Sequence, residues 1–215
     1  GFNLKWDMGW MHDTLDYMKT DPMFRNRFHH LLTFSMAYAF NENFILPLSH
    51  DEVVHSKRTI LDKMFGDYEM KFDQFRILFG YLMTHPGKKL SFMGNEFAPF
   101  LEWRVDESLE WFLLDYQKHR EIHSYIKDLN KFYHKEKALW SDDHSWGGFE
   151  WLEPNNSEQS ILIFKRLGSE AKDTLITIIN FCPLSYTDYQ IGVPAGGNYR
   201  LAFNSDDNSY GGSGF

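Results

Sequence analysis

Residues 46–58 read LPLSHDEVVHSKR, a short apolar run that delivers His50, Asp51 and Glu52 in succession, with His55 and Lys57 close behind. Taken alone, the stretch reads either as a reactive strand end or as the polar start of the next loop. Two further acids stand in similar settings. Asp7 follows the alternating run Phe2-Asn3-Leu4-Lys5-Trp6, and Glu96 follows Lys89-Leu90-Ser91-Phe92-Met93 through Gly94-Asn95. Two carboxyl groups flanking one bond are the equipment of glycoside hydrolysis. Asp51 and Glu52 make a poor pair for it, because neighbours in extended chain point to opposite faces. Asp51 with Glu96 or Asp7 is the better combination. The same His50-Asp51 would equally serve a plain turn, with the aspartate capping a helix and the histidine satisfied. Spacing alone leaves both readings open.

Such residues work together only if the chain carries them to one place. Residues 2–6, 44–48 and 89–93 have the apolar content and length of strands, although Pro47 disfavours a strand interior. Between and after them, helical spacing predicts helices from Asp21-Pro22 through Phe34, over residues 71–84, and over residues 116–133. Strand–helix alternation of this kind argues for βαβ units and a parallel sheet. In such folds the chemistry gathers at the C-terminal ends of the strands. Trp6-Asp7, Ser49-His50-Asp51-Glu52 and Asn95-Glu96 all fall at such ends. From about residue 148 the pattern changes to five strand-like runs, 149–153, 160–167, 174–181, 186–193 and 199–203, separated by polar turns. That region reads as a separate antiparallel β module. The Ser/Gly-rich residues 209–215 read as a loop cut short.

Bulk properties narrow the classes. The 215 residues carry 22 basic and 30 acidic groups, a formal charge of −8, with no Lys/Arg block, which disfavours a nucleic-acid partner. The lone Cys182 excludes an internal disulfide, points to a reducing compartment and reads as a core residue. No apolar run reaches the ~18 residues of a membrane span, and no signal peptide is visible. Gly1 rather than Met opens the chain, so an N-terminus made by processing or by design is expected. Aromatic residues reach 18 %, mostly for packing. Several Trp lie beside Gly, Asp or Glu (Trp6-Asp7, Gly9-Trp10, Glu102-Trp103, Trp146-Gly147), which suits loops better than core centres and leaves carbohydrate binding open. His119 and His123 have the spacing of two metal ligands on a helix, but without a third they read as solvated helix residues. P-loop, Rossmann and Gly-x-Ser-x-Gly motifs are all absent from the sequence.

The run Gly1-Phe2-Asn3-Leu4-Lys5-Trp6-Asp7-Met8-Gly9-Trp10-Met11-His12-Asp13-Thr14-Leu15 resembles the sixth barrel strand of bacterial glycogen (1,4-α-glucan) branching enzymes, members of the α-amylase superfamily. Ile45-Leu46-Pro47-Leu48-Ser49-His50-Asp51-Glu52-Val53-Val54-His55 resembles their seventh strand and its loop. Phe92-Met93-Gly94-Asn95-Glu96-Phe97, followed by Glu102-Trp103, resembles the eighth. The resemblance runs in order over residues 1–135 and implies a fold class of α/β plus all-β. Residues 1–140 would be the last three βα units of a (β/α)8 barrel, and residues 141–215 an incomplete antiparallel β-sandwich domain.

Function follows by the same implication. These enzymes cut an α-1,4-glucan and transfer the freed chain to a 6-hydroxyl by a retaining double displacement. Asp51 matches the third family carboxylate, which stabilises the transition state, and His50 the histidine that grips sugar hydroxyls. Trp6, Asp7, Glu96 and Trp103 are expected to line the substrate. No cofactor or metal is implied, the partner is an α-glucan, and the place is the cytoplasm.

Two departures stand out. Ser56 occupies a position where the family run has Gly, so the loop loses backbone freedom there. The nucleophile and acid/base motifs have no counterpart in the chain, whose α/β part is short of the about 250 residues of a complete barrel. A C-terminal fragment is therefore expected, inactive alone, with exposed sheet edges that favour self-association or pairing with the missing N-terminal part. A non-catalytic glucan-binding fragment and another hydrolase of the superfamily are the alternatives.

Overall fold

The computed structural model describes residues 2–170 and 172–215; Gly1, which opens the first resembling run, lies outside them. Three short strands, β1 (Lys5–Trp6), β2 (Phe44–Leu48) and β3 (Lys88–Ser91), lie side by side in that order and run parallel. Helix α1 (Met8–Lys19) follows β1, and a four-residue helix α2 (His30–Thr33) lies among short 3₁₀ turns before β2. Helix α3 (Tyr68–Thr84) links β2 to β3, and α4 (Gln117–Lys135) follows β3. The expected βαβ alternation is therefore present.

Pro47 sits inside the central strand at no cost, for a geometric reason. Lys5 and Asp7 donate their amides to Asn43 O and Ile45 O, so odd-numbered residues of β2 face β1. Pro47 is the next of these, and it lies beyond the end of β1. The carbonyl that would have met its amide, that of Asp7, accepts from Met11 N within α1 instead. The missing N–H of proline has nothing to bond there.

The expected helix from Pro22 to Phe34 is broken. Pro22–Phe28 is a 3₁₀ stretch capped by Asp21, whose carboxylate accepts from Met23 N, and only α2 beyond it is α-helical. Arg25 explains the break. Its side chain is fully buried and donates to Thr20 O, Met18 O and Phe181 O as well as to Gln74, a set of tertiary partners that overrides local helical spacing.

The β region forms one three-stranded antiparallel sheet of β4 (Phe149–Asn156), β5 (Ile161–Leu167) and β6 (Thr174–Asn180). Residues 186–193 and 199–203 are not strands, contrary to their sequence pattern. Both lie mostly exposed without a ladder partner, and Phe203 instead stacks on Tyr210 and packs against Phe132. The two sheets share one apolar core, in which Trp10, Leu46, Phe75, Phe79 and Ile126 join Leu162, Phe164 and Phe181. Burial of such side chains is the main favourable contribution to folding, roughly 1.5–3 kcal/mol for each. Polar rivets cross the same seam. Arg166 and Asp143, both with wholly buried side chains, pair at 2.7 Å, and Arg166 also donates to Thr84 O at the end of α3.

Three other expectations need correction. Trp10 is a core residue of α1 rather than a loop residue. His119 is buried between Phe72 and Phe100, its Nδ1 against Phe97 O, rather than solvated. Cys182 is only partly buried, and its neighbour Phe181 takes the core position.

Candidate active site

Because β1, β2 and β3 are adjacent and parallel, the segments that follow them emerge along one rim. After β2 the chain turns at once. Ser49 is buried, and its Oγ accepts from Asp51 N, capping the single 3₁₀ turn His50–Glu52. The turn sends its two acids to different places. Glu52 is buried and ion-paired with Lys57 at 3.3 Å, whereas the Asp51 side chain is 46 % exposed. His50 Nε2 lies 3.3 Å from Asp51 Oδ1, and the His50 ring is also about half exposed. An open carboxylate beside an open imidazole can take hydrogen bonds from a polyol and hold negative charge beside a developing cation.

The turn's neighbour in space is the segment that follows β3. Leu48 O accepts from Phe92 N at 2.9 Å and from the buried Asn95 side chain at 3.3 Å, which ties the two strand ends together. The Phe92 ring lies 5.8 Å from that of His50 and 5.4 Å, edge to face, from that of Trp103. Trp103 N donates to Val53 O at 2.9 Å. His50, Asp51 and Trp103 are thus brought into one connected patch. Beside it, Val53, Met93, Leu101, Trp103 and Leu109 line a small cavity of about 40 Å³.

The remaining expected residues sit differently. Trp6 is partly exposed at the end of β1. Asp7 is buried and caps α1, accepting from Trp10 N at 2.8 Å and from the Tyr38 hydroxyl at 3.1 Å. Burial raises the Asp7 carboxyl above its ordinary value, against the lowering effect of these donors. Its partner Tyr38 is pushed up, first by burial and then by the Asp7 charge. Glu96 accepts from Gly94 N at 2.8 Å and lines a cavity of 400 Å³ among Phe79, Leu82, Ile126 and Leu129 of α3 and α4. No hydrogen bond or ion pair joins Glu96 or Asp7 to His50 or Asp51 among the described residues.

Sequence reading left out Lys63 and gave Glu102 no role of its own, yet their bonds hold the segment after the turn. A lysine set among Ile60, Leu61, Met64 and Phe65 was the available signal for the first. Glu102 had none beyond its place beside Trp103.

Comparison with known proteins now bears on this patch. The chain is 54 % identical over 214 of its 215 residues to 1,4-alpha-glucan branching enzyme GlgB of Halothermothrix orenii, and 52 % identical to the enzymes of the same name from Bacillus cereus (strain G9842) and Bacillus anthracis. Its relatives are 1,4-alpha-glucan branching enzymes. The chain spans about a third of their length, 34 % for the Halothermothrix protein and 33 % for the two Bacillus proteins. Residues 151–215 match the family described as alpha amylase, C-terminal all-beta domain, so the antiparallel sheet and the segments after it correspond to that domain. Among solved structures, an alpha-amylase from H. orenii is similar over 79 % of this chain and 38 % of that one, at 14 % identity and a TM-score of 0.43. No helix among the described residues is long and apolar enough to cross a membrane.

Proposed function

We propose that this chain carries part of the active site of a 1,4-alpha-glucan branching enzyme, with Asp51 as the transition-state-stabilising carboxylate and His50 as its partner in gripping sugar hydroxyls. One coincidence carries the reading. Identity above one half along the whole chain to enzymes of that name accompanies an exposed His50–Asp51 pair at the end of a central parallel strand. In this reading residues 1–140 are the last three βα units of a (β/α)8 barrel, and residues 141–215 belong to a β-sandwich domain. The substrate is an α-glucan, the setting cytoplasmic, and the reaction a retaining transfer from a 1,4 to a 1,6 linkage.

The chemistry assigns the labour. An oxocarbenium-like transition state places positive charge on the sugar, which an ionised Asp51 stabilises through space and through hydroxyls that tighten as the ring distorts. Trp103, which reaches His50 through Phe92, and Trp6, at the end of the neighbouring strand, would offer apolar ring faces to sugar C–H groups. Asp7 and Glu96 stay within the rim and shape it. The covalent nucleophile and the acid/base carboxyl lie outside these 215 residues.

The test compares two preparations on amylose, reading new 1,6 linkages by debranching and reducing-end count. The 215-residue chain alone is expected to make none, and the complete polypeptide that carries it is expected to branch. Branching by the isolated chain would sink the proposal that the other two carboxylates lie elsewhere.

A further inference from the structure

The segment after the His50–Glu52 turn is bent in an unusual way. His55, Ser56 and Arg58 all have left-handed backbone, with φ of 56°, 65° and 69°. None is glycine, and each such residue costs on the order of 1–2 kcal/mol. Strain of this size persists only where the surroundings over-determine it. Here two side chains do so. Lys63, almost fully buried, donates to Glu52 O at 2.5 Å, to Lys57 O at 2.7 Å and to Arg58 O at 3.2 Å, which uses all three ammonium hydrogens. Glu102 accepts from Ser56 N at 3.0 Å and from Arg58 N at 2.5 Å. These amides hold the Glu102 carboxyl below its ordinary value. A cation on the carbonyls and an anion on the amides thus grip one strained loop.

That loop abuts the site at two points. Lys63 bonds the carbonyl of Glu52, the residue after Asp51, and the residue after Glu102 is Trp103, which bonds Val53 O and packs on Phe92. We infer that Lys63 and Glu102 are positioning residues, which clamp the 54–58 loop in its left-handed form and thereby fix the direction of His50 and Asp51 at the rim. The inference rests on the proposed role of Asp51. Both side chains are taken up by backbone groups of the loop, so both act on how often the site is correctly arranged. A displacement of about 1 Å at a reacting group costs on the order of a hundredfold in rate.

The experiment uses the complete polypeptide that carries this sequence, with Glu102→Gln, Lys63→Met, Asp51→Asn and the double variant Glu102→Gln/Ser56→Gly. Glu102→Gln keeps one acceptor and the size of the side chain. It is expected to lower kcat about ten- to hundredfold with KM on amylose within about twofold of the parent. Glycine at position 56 adopts the left-handed form without strain, so the double variant is expected to recover most of the lost kcat. Lys63→Met is expected to lower kcat in the same direction. In the complete polypeptide, amide exchange at Ser56 and Arg58 is expected to quicken in Glu102→Gln. Unchanged kcat in Glu102→Gln would overturn the inference, as would a loss that Ser56→Gly does not recover. Full activity in Asp51→Asn would instead overturn the proposed function on which the inference stands.

Discussion

His50 Nε2 and Asp51 Oδ1 lie 3.3 Å apart while both side chains stay about half exposed, open to a ligand at the rim. Their neighbours are treated differently by the same short turn. Glu52 is buried, Ser49 is a buried cap, and Asp7 one strand away is a buried cap of α1. The sequence showed that apolar runs end in ionisable residues; it did not show which of those residues would be turned outward. That is decided by caps one or two residues away and by cations such as Lys57. Ser56 was expected to cost its loop backbone freedom, and its φ of 65° is the left-handed form that glycine adopts without strain. Ser56→Gly removes about 1–2 kcal/mol of strain and returns about 0.5–1 kcal/mol of chain entropy to the unfolded state. A net gain of about 0.5–1 kcal/mol is expected, read as a higher urea midpoint at unchanged m-value. For Asp7→Ala the expectation is opposite: a loss of about 1 kcal/mol, from the cap and from the Tyr38 hydroxyl left without its acceptor, measured in the same way.

At the scale of elements, α3 and α4 were legible because their apolar spacing is strong, whereas α1 was not foreseen. Phe72, Phe75, Leu78, Phe79 and Leu82 of α3, and Ile122, Ile126 and Leu129 of α4, are buried as their periodicity requires. Pattern failed where a distant partner decides. Arg25 leaves the helical register to reach Phe181 O, and residues 186–193 alternate as a strand does but find no ladder. The seam between the α/β part and the antiparallel sheet depends on Arg166 and Asp143. Burial alone would raise the Asp143 carboxyl, but Lys89, Arg166 and Lys88 together hold it below its ordinary value. Asp143→Asn removes one partner of a buried pair and is expected to cost about 3–5 kcal/mol. The sign of the pH dependence follows from the depressed carboxyl. Its contribution is present above the unfolded value near 3.8 and is lost as pH falls through the folded one. The difference in thermal midpoint between parent and variant is therefore expected to narrow from pH 5 to pH 3. A constant difference across that range would assign the seam's stability to packing instead. Gly148 belongs to the same seam: a Cβ there would meet Asp142 O at 2.0 Å, the reason this glycine precedes β4.

At the scale of the whole molecule, the parallel sheet has only three strands, and the outer edges of β1 and β3 have no strand partner among the described residues. Unpaired edges of this kind recruit other strands. Self-association of the isolated chain is therefore expected in light scattering, and a monodisperse monomer across the micromolar range would contradict it. Alternation predicted a parallel sheet but left open whether β1, β2 and β3 are neighbours; the observed order brings Trp6, His50 and Asn95 to one rim. The central claim is that Asp51 at that rim stabilises the transition state of glucan transfer. Its most direct test is the branching rate of the complete polypeptide with Asp51→Asn, which keeps the size of the side chain and removes the charge. A loss of at least about a hundredfold in kcat, at unchanged thermal midpoint, is predicted. A rate within about threefold of the parent would contradict it, since that difference corresponds to less than about 1 kcal/mol of transition-state stabilisation.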